Sequence, residues 1–214
     1  MTPSTAPCET AGSPGPMTTM VALVVYPGVL ANECHAVRSV FERLDGAHIV
    51  TIAGHRGPFS GPGGVQQADE VYAAVAHPHI VIVPGGLGCR EAAEDPALQD
   101  WLRTVEPTCR WIVAVSTGTV ALAAAGIVRD HAAVTHWLAG DLLAEFGAER
   151  AEGRSLVDGK VVTCAGAAAA REVALQIVEQ EAGAEVAERI RSELLTSAAS
   201  AEPRRRRWPF RRAR

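Results

Sequence analysis

Apolar residues in this chain fall into short unbroken runs, divided by stretches of helical spacing, and glycine or proline closes most of the runs. Met20-Val21-Ala22-Leu23-Val24-Val25-Tyr26 has the length of a buried strand and stops at Pro27-Gly28. Val37, Val40, Phe41 and Leu44 then recur three or four apart, which predicts a helix from Leu30 to Leu44. Ala47–Ala53 reads as a second strand. Gly54–Gly64, with five glycines and two prolines, reads as a turn or hairpin arm, and Asp69-Glu70 as a solvated helix start. Ile80–Val83 is a third strand, stopped by Pro84-Gly85-Gly86, and Asp95-Pro96 opens a helix reaching Val105. Trp111–Val115 is a fourth strand that runs straight into Ser116-Thr117-Gly118 and an alanine-rich helix, Thr119–Ala125. Helices are predicted at Trp137–Phe146 with Gly147 as C-cap, at Gly166–Glu181 and at Ala184–Leu195, with a last short strand at Val161–Thr163.

Strand runs that are apolar throughout are buried on both faces, and here they alternate with helices. The economical fold is α/β, a three-layer sandwich with a mainly parallel sheet. Sites in such sheets gather at the carboxyl ends of the strands. Three features fall there independently: the Tyr26–Glu33 loop, the Pro84-Gly85-Gly86 turn and Ser116.

Composition narrows this picture. A chain of 214 residues that is 48% hydrophobic but only 5% aromatic must build its core from Val, Leu, Ile and Ala. The organisation expected is a single domain over residues 19–198. A disordered Pro/Ser/Thr/Gly-rich segment at 1–18 precedes it, and a basic disordered tail at 199–214 follows. The net charge of -4 gives no global reason to expect nucleic acid. Seven arginines lie within the last eleven residues, interleaved with Trp208 and Phe210. That tail reads as a solubilising segment, with contact to an anionic lipid or nucleic-acid surface as the alternative. Five cysteines without a CxxC pair point to reduced thiols. No apolar run approaches the roughly 18 residues of a membrane span, and the N-terminus lacks a secretory pattern. The expected location is therefore cytoplasmic.

Ser116 sits where a buried strand becomes a helix with almost no loop. So sharp a turn projects the side chain above the sheet and places the Thr117 and Gly118 N–H groups at a helix N-terminus, where negative charge is favoured. Gly85 and Gly86 allow another backbone N–H to approach a ligand, so the cluster suits an oxyanion hole. The plain alternative is a serine that caps the helix. An α/β-hydrolase elbow fits poorly, because Ala114 stands where that motif needs glycine.

The ordered set Ile82-Val-Pro-Gly-Gly86, Val115-Ser-Thr-Gly118, Thr135-His-Trp137 and Val162-Thr-Cys-Ala-Gly166 resembles the ThiJ/PfpI (class I glutamine-amidotransferase-like) superfamily. Tyr26-Pro-Gly28, Glu33 and Val40-Phe41 extend the likeness, which covers Met20 to Leu195. It lies nearest the isocyanide hydratase branch and the ligand domains of AraC-type regulators. The resemblance implies a flavodoxin-like sandwich, a homodimer, a small-molecule substrate or ligand, and no metal or organic cofactor. It places Ser116 at the nucleophile position, usually a cysteine, with Glu33 as the acid beside it and His136 close by. Gly86 and Thr117, with Gly85 and Gly118, then serve as the oxyanion- or substrate-binding residues. The regulators append a DNA-binding domain; none is expected here.

Serine changes the chemistry. A thiol at this turn ionises near neutrality, whereas a hydroxyl must pass its proton to a general base during attack. Three readings stand: a serine enzyme of hydrolase or hydratase type using Ser116, Glu33 and His136; a degenerate module that binds a small molecule; or acid–base chemistry by Glu33. The branch's Gly-Pro after the acid is replaced by Ala36-Val37, which predicts a remodelled pocket floor. Cys34 is a candidate replacement nucleophile, Cys89 a small packing residue or redox thiol, and Cys109 and Cys164 core residues. His77-Pro-His79 reads as a surface turn, and Gly61-Pro-Gly-Gly64 lacks the Lys and Ser/Thr of a phosphate loop.

Overall fold

The computed structural model describes residues 18–201, so the expected N-terminal segment and most of the arginine-rich tail lie outside the described residues. Eleven strands and seven α-helices are present among them. In chain order these are β1 (Thr19–Val24), α1 (Ala31–Phe41), β2 (Ala47–Ala53), β3 (Gly57–Gly61), β4 (Gly64–Ala68), β5 (Glu70–Val71) and β6 (Ile80–Val83). There follow α2 (Cys89–Glu94), α3 (Pro96–Val105), β7 (Trp111–Val115), α4 (Thr119–Ala124), β8 (Ala132–Ala133), α5 (Gly140–Glu145) and β9 (Glu149–Arg150). The chain ends with β10 (Ser155–Asp158), β11 (Val161–Cys164), α6 (Ala167–Ala182) and α7 (Ala184–Ala201).

Seven strands form one sheet in the order β10-β11-β7-β6-β1-β2-β5. All neighbours run parallel except the edge pair β10 and β11. Helices α1, α6 and α7 pack together as one layer and α2 to α5 as the other, so the expected three-layer α/β sandwich is what forms. The central strands are buried on both faces: every residue of β6 is at most 1% exposed, which explains why its sequence does not alternate.

The chain leaves β1 toward β2 and later returns through β6 on β1's other side. Such a reversal opens a crevice at the carboxyl ends of the two strands. Two loops close its floor. Leu30 N–H donates to Gly85 C=O, and Leu87 N–H to Gly28 C=O, both at 2.9 Å. The Tyr26 hydroxyl donates to Pro84 C=O at 2.7 Å, tying the end of β1 to the end of β6.

Some elements differ from expectation. Gly54–Gly64 does open a hairpin, but its second arm runs on to Ala68. Asp69-Glu70 is not a helix start: Asp69 Oδ2 accepts the Thr51 N–H, and Glu70 begins the edge strand β5. Trp137–Phe146 divides into a 3-10 turn, Trp137–Ala139, followed by α5. The helix α7 continues beyond Leu195 to Ala201, with Ala187 and Ile190 anchoring its first half to the core. The short helix α2 and the strands β8, β9 and β10 escaped the sequence reading, since elements of two to six residues carry too little periodicity.

Candidate functional site

Ser116 has a φ of 56°, a left-handed conformation that is sterically costly for a residue with a Cβ. The strain arises because β7 passes directly into a 3-10 turn, Ser116–Gly118, and then into α4. The N-cap positions of that turn and of α4 fall on Val115 and Gly118, not on Ser116, so the helix-cap reading does not describe it. It is 2% exposed and close enough to the Glu33 carboxyl to help lower its pKa.

Glu33 lies in the first turn of α1 and is 3% exposed. Its Oε2 accepts the Gly85 N–H at 2.7 Å. Burial raises the Glu33 pKa, and the hydrogen bonds from Gly85 and Ser116 only partly oppose that rise. Glycine at position 85 is what permits this crowding. A Cβ there would stand 2.9 Å from Glu33 Oε2, from Ser116 Cβ and from Thr117 N alike. Gly118 allows a second close approach, since a Cβ on it would lie 2.2 Å from Val83 C=O.

The backbone donors are not equivalent. Gly85 N–H is taken by Glu33. Gly86 N–H donates to Thr117 Oγ1 at 2.8 Å, and that hydroxyl donates back to Gly86 C=O at 3.1 Å. Of the expected oxyanion donors, Gly85 and Gly86 are therefore engaged within the site itself. The Thr117 and Gly118 N–H groups lie in the first turn, where helix N–H groups lack intrahelical acceptors, and Thr117 lines the cavity.

His136 reaches the same place through a chain of threonines. Thr135 Oγ1 donates to Ser116 C=O at 2.8 Å, and Thr119 Oγ1 to Val134 C=O at 2.8 Å. Thr163 Oγ1 accepts the Val134 N–H at 2.9 Å. These bonds hold residues 134–136 against the serine turn. His136 then caps the following 3-10 turn, its Nδ1 accepting the Leu138 N–H at 3.3 Å. In the neutral ring the proton therefore sits on Nε2, making that nitrogen a donor.

Ser116, Thr117, Gly86, His136 and Cys89 all line one open cavity of about 320 Å3. Leu30, Leu87, Leu138 and Leu142 supply much of its wall. Ser116, Glu33, Gly86, Thr117 and His136, all expected at this locus, meet here; Thr135 figured only within the Thr135-His-Trp137 motif, without a role, and Leu87 and Leu138 were not expected. A threonine that works through its hydroxyl, and leucines in short turns, leave no periodic signal. Cys34 is fully buried and its thiol is pushed up to about 12, chiefly by burial, so it is no replacement nucleophile. Cys164 is likewise pushed up to about 12 and Cys109 to about 11, burial again leading, as suits core thiols. Cys89 is half-buried and faces the cavity.

Among the described residues no three His, Cys, Asp or Glu side chains gather as a metal-ligand group. No helix among them is long and apolar enough to cross a membrane.

A mainly parallel sheet with a strained residue at the end of a central strand, facing a buried carboxyl, defines the class. Residues 19–180 match the DJ-1/PfpI family, and the chain belongs to it. It is 32% identical over 115 residues to an isonitrile hydratase of Pseudomonas putida, covering 54% of this chain and 50% of that one. It is 36% identical over 118 residues to a Parkinson disease protein 7 homolog of Danio rerio, covering 54% and 62%. The matched segments thus span about half to three fifths of these relatives' lengths. A crystal structure of a ThiJ/PfpI family protein from Pseudomonas syringae superposes with a TM-score of 0.78 at 25% identity, covering 94% of this chain and 85% of that one.

Proposed function

We propose that this chain is a hydratase- or hydrolase-like enzyme acting on a small molecule. In this reading the Ser116 hydroxyl attacks the substrate and Glu33 carries the proton. The observation that carries the proposal is the left-handed backbone of a buried Ser116 beside a buried carboxyl at the floor of an open cavity. Backbone strain of this kind costs on the order of 1–3 kcal/mol and persists where the surroundings over-determine it, often at functional sites.

Ser116 must lose its proton as it attacks. A carboxyl whose pKa is raised binds that proton more firmly than an ordinary one, and can return it in the next step. With an isocyanide, Ser116 Oγ would bond to the terminal carbon, and the hydroxyl proton would pass through Glu33 to that same carbon. The product is a serine formimidate ester. Water then adds to its carbon, the C–O bond to Ser116 breaks, the hydroxyl regains its proton, and an N-substituted formamide leaves. Isocyanide and water are consumed and nothing else is. Thr117 N–H meets developing negative charge. His136, with Nε2 protonated, donates a hydrogen bond to substrate and is not the base. A cytoplasmic homodimer belongs to the same proposal.

A second reading, a ligand-binding module without turnover, draws on the engaged Gly85 and Gly86 N–H groups, which leave a sparse oxyanion site. Product formation from isocyanides, amides and reactive aldehydes, by wild type and Ser116→Ala, separates the two. The enzyme reading expects turnover of at least one class and a loss of roughly 10²-fold or more in the variant. Saturable binding without product in wild type would favour the module.

A further inference from the structure

The apolar rim of this cavity has no part in the chemistry above. Resting on the reading that the cavity takes the substrate, we propose that it selects neutral molecules bearing a hydrocarbon arm, held between Leu87 and Leu138.

Leu87 is 80% exposed and Leu138 is 68% exposed, although both line the cavity over Ser116. Only six large hydrophobic residues among those described are exposed, and a third, Trp137, adjoins Leu138. Leu87 N–H is bonded to Gly28 C=O at 2.9 Å, and Leu138 N–H to His136 Nδ1 at 3.3 Å. Each leucine is thus held beside the cavity by a backbone hydrogen bond, with its side chain open to a ligand. Each methylene laid against such a surface strengthens binding about fourfold.

The same wall disfavours charge. No Asp, Glu, Lys or Arg lines the cavity, and Glu33 lies behind Ser116. Beyond Leu138 an adjoining cleft holds Asp141 and Arg150, but Arg150 is paired with Glu152 at 2.7 Å. That neighbourhood has no surplus positive charge to receive an anion. A charged arm would lose its hydration with no partner in return.

The test is calorimetric titration of the full chain with N-alkylformamides from ethyl to hexyl, which share a neutral head, each titration being followed by chromatography to show that the ligand is recovered intact. N-formyl-6-aminohexanoate is the charged comparison. Wild type should show Kd falling about fourfold per methylene until the arm clears the rim, and the carboxylate should bind at least about tenfold more weakly than the hexyl compound. Leu87→Ala and Leu138→Ala, which truncate exposed side chains, should each flatten the slope and leave sedimentation unchanged. Ser116→Ala should keep the slope, so that failure of the serine chemistry is read separately from failure of the rim. The proposal is overturned by absence of binding, by a slope below about twofold per methylene, or by equal binding of the carboxylate. It is equally overturned if the leucine variants keep the slope and change the oligomeric state, which would make the rim a protein contact.

Discussion

Glu33 Oε2 accepts the Gly85 N–H at 2.7 Å across 52 residues of sequence, and this bond fixes the carboxyl beneath Ser116. Gly85 is the residue whose missing side chain makes room for it. Gly85→Ala should therefore displace the carboxyl, the serine or both, costing about 1–3 kcal/mol in stability and weakening any cavity ligand. Thermal unfolding and ligand titration on the same variant check both effects. Full stability with unchanged binding would show that the crowding is unimportant.

The raised Glu33 pKa makes stability depend on pH. The folded state holds the proton more tightly than the unfolded chain, so the group's contribution is fully present below the ordinary carboxyl value of 4.5. It is lost as pH rises through the folded value. Glu33→Gln imitates the protonated carboxyl and should escape that loss. Its melting temperature relative to wild type should climb between acid and neutral pH, and a pH-independent difference would contradict the assignment.

Strain at Ser116 can be measured apart from its hydroxyl. Ser116→Gly and Ser116→Ala both remove the oxygen, but only glycine relaxes at a φ of 56°. Denaturant titrations should show the glycine variant more stable than the alanine variant by about 0.5–1 kcal/mol. Equal stability would mean that the turn stores no strain.

Thiol reactivity should single out Cys89. In a Cys8→Ser background, a small maleimide should label Cys89 in the native protein. Cys34, Cys109 and Cys164 should react only on unfolding, because burial pushes their thiols well above the usual range. Native labelling of Cys34 would place the cavity floor differently.

The strand framework was legible because β1, β6 and β7 are buried on both faces and so read as apolar runs ended by Pro27-Gly28, Pro84-Gly85 and Ser116. Their carboxyl ends had to converge in a parallel sheet, which brought Glu33, Gly85 and Ser116 together before any distance was known. Which N–H groups remain free was not legible. That depends on Thr117 Oγ1 closing on Gly86 and on Glu33 taking Gly85, and these are rotamer choices that carry no sequence period. The wall was hidden for a related reason: Leu87 and Leu138 occupy turns, where an isolated leucine looks the same whether it faces solvent or substrate.

The proposed chemistry turns on a covalent bond between Ser116 Oγ and the substrate. Rapid quenching of wild type with an isocyanide, followed by intact-mass and peptide mass spectrometry, tests it most directly. A transient mass increase equal to one isocyanide is expected on the peptide that carries Ser116, with none in Ser116→Ala. Undiminished formamide production by Ser116→Ala, or an adduct found only on Cys89, would contradict it.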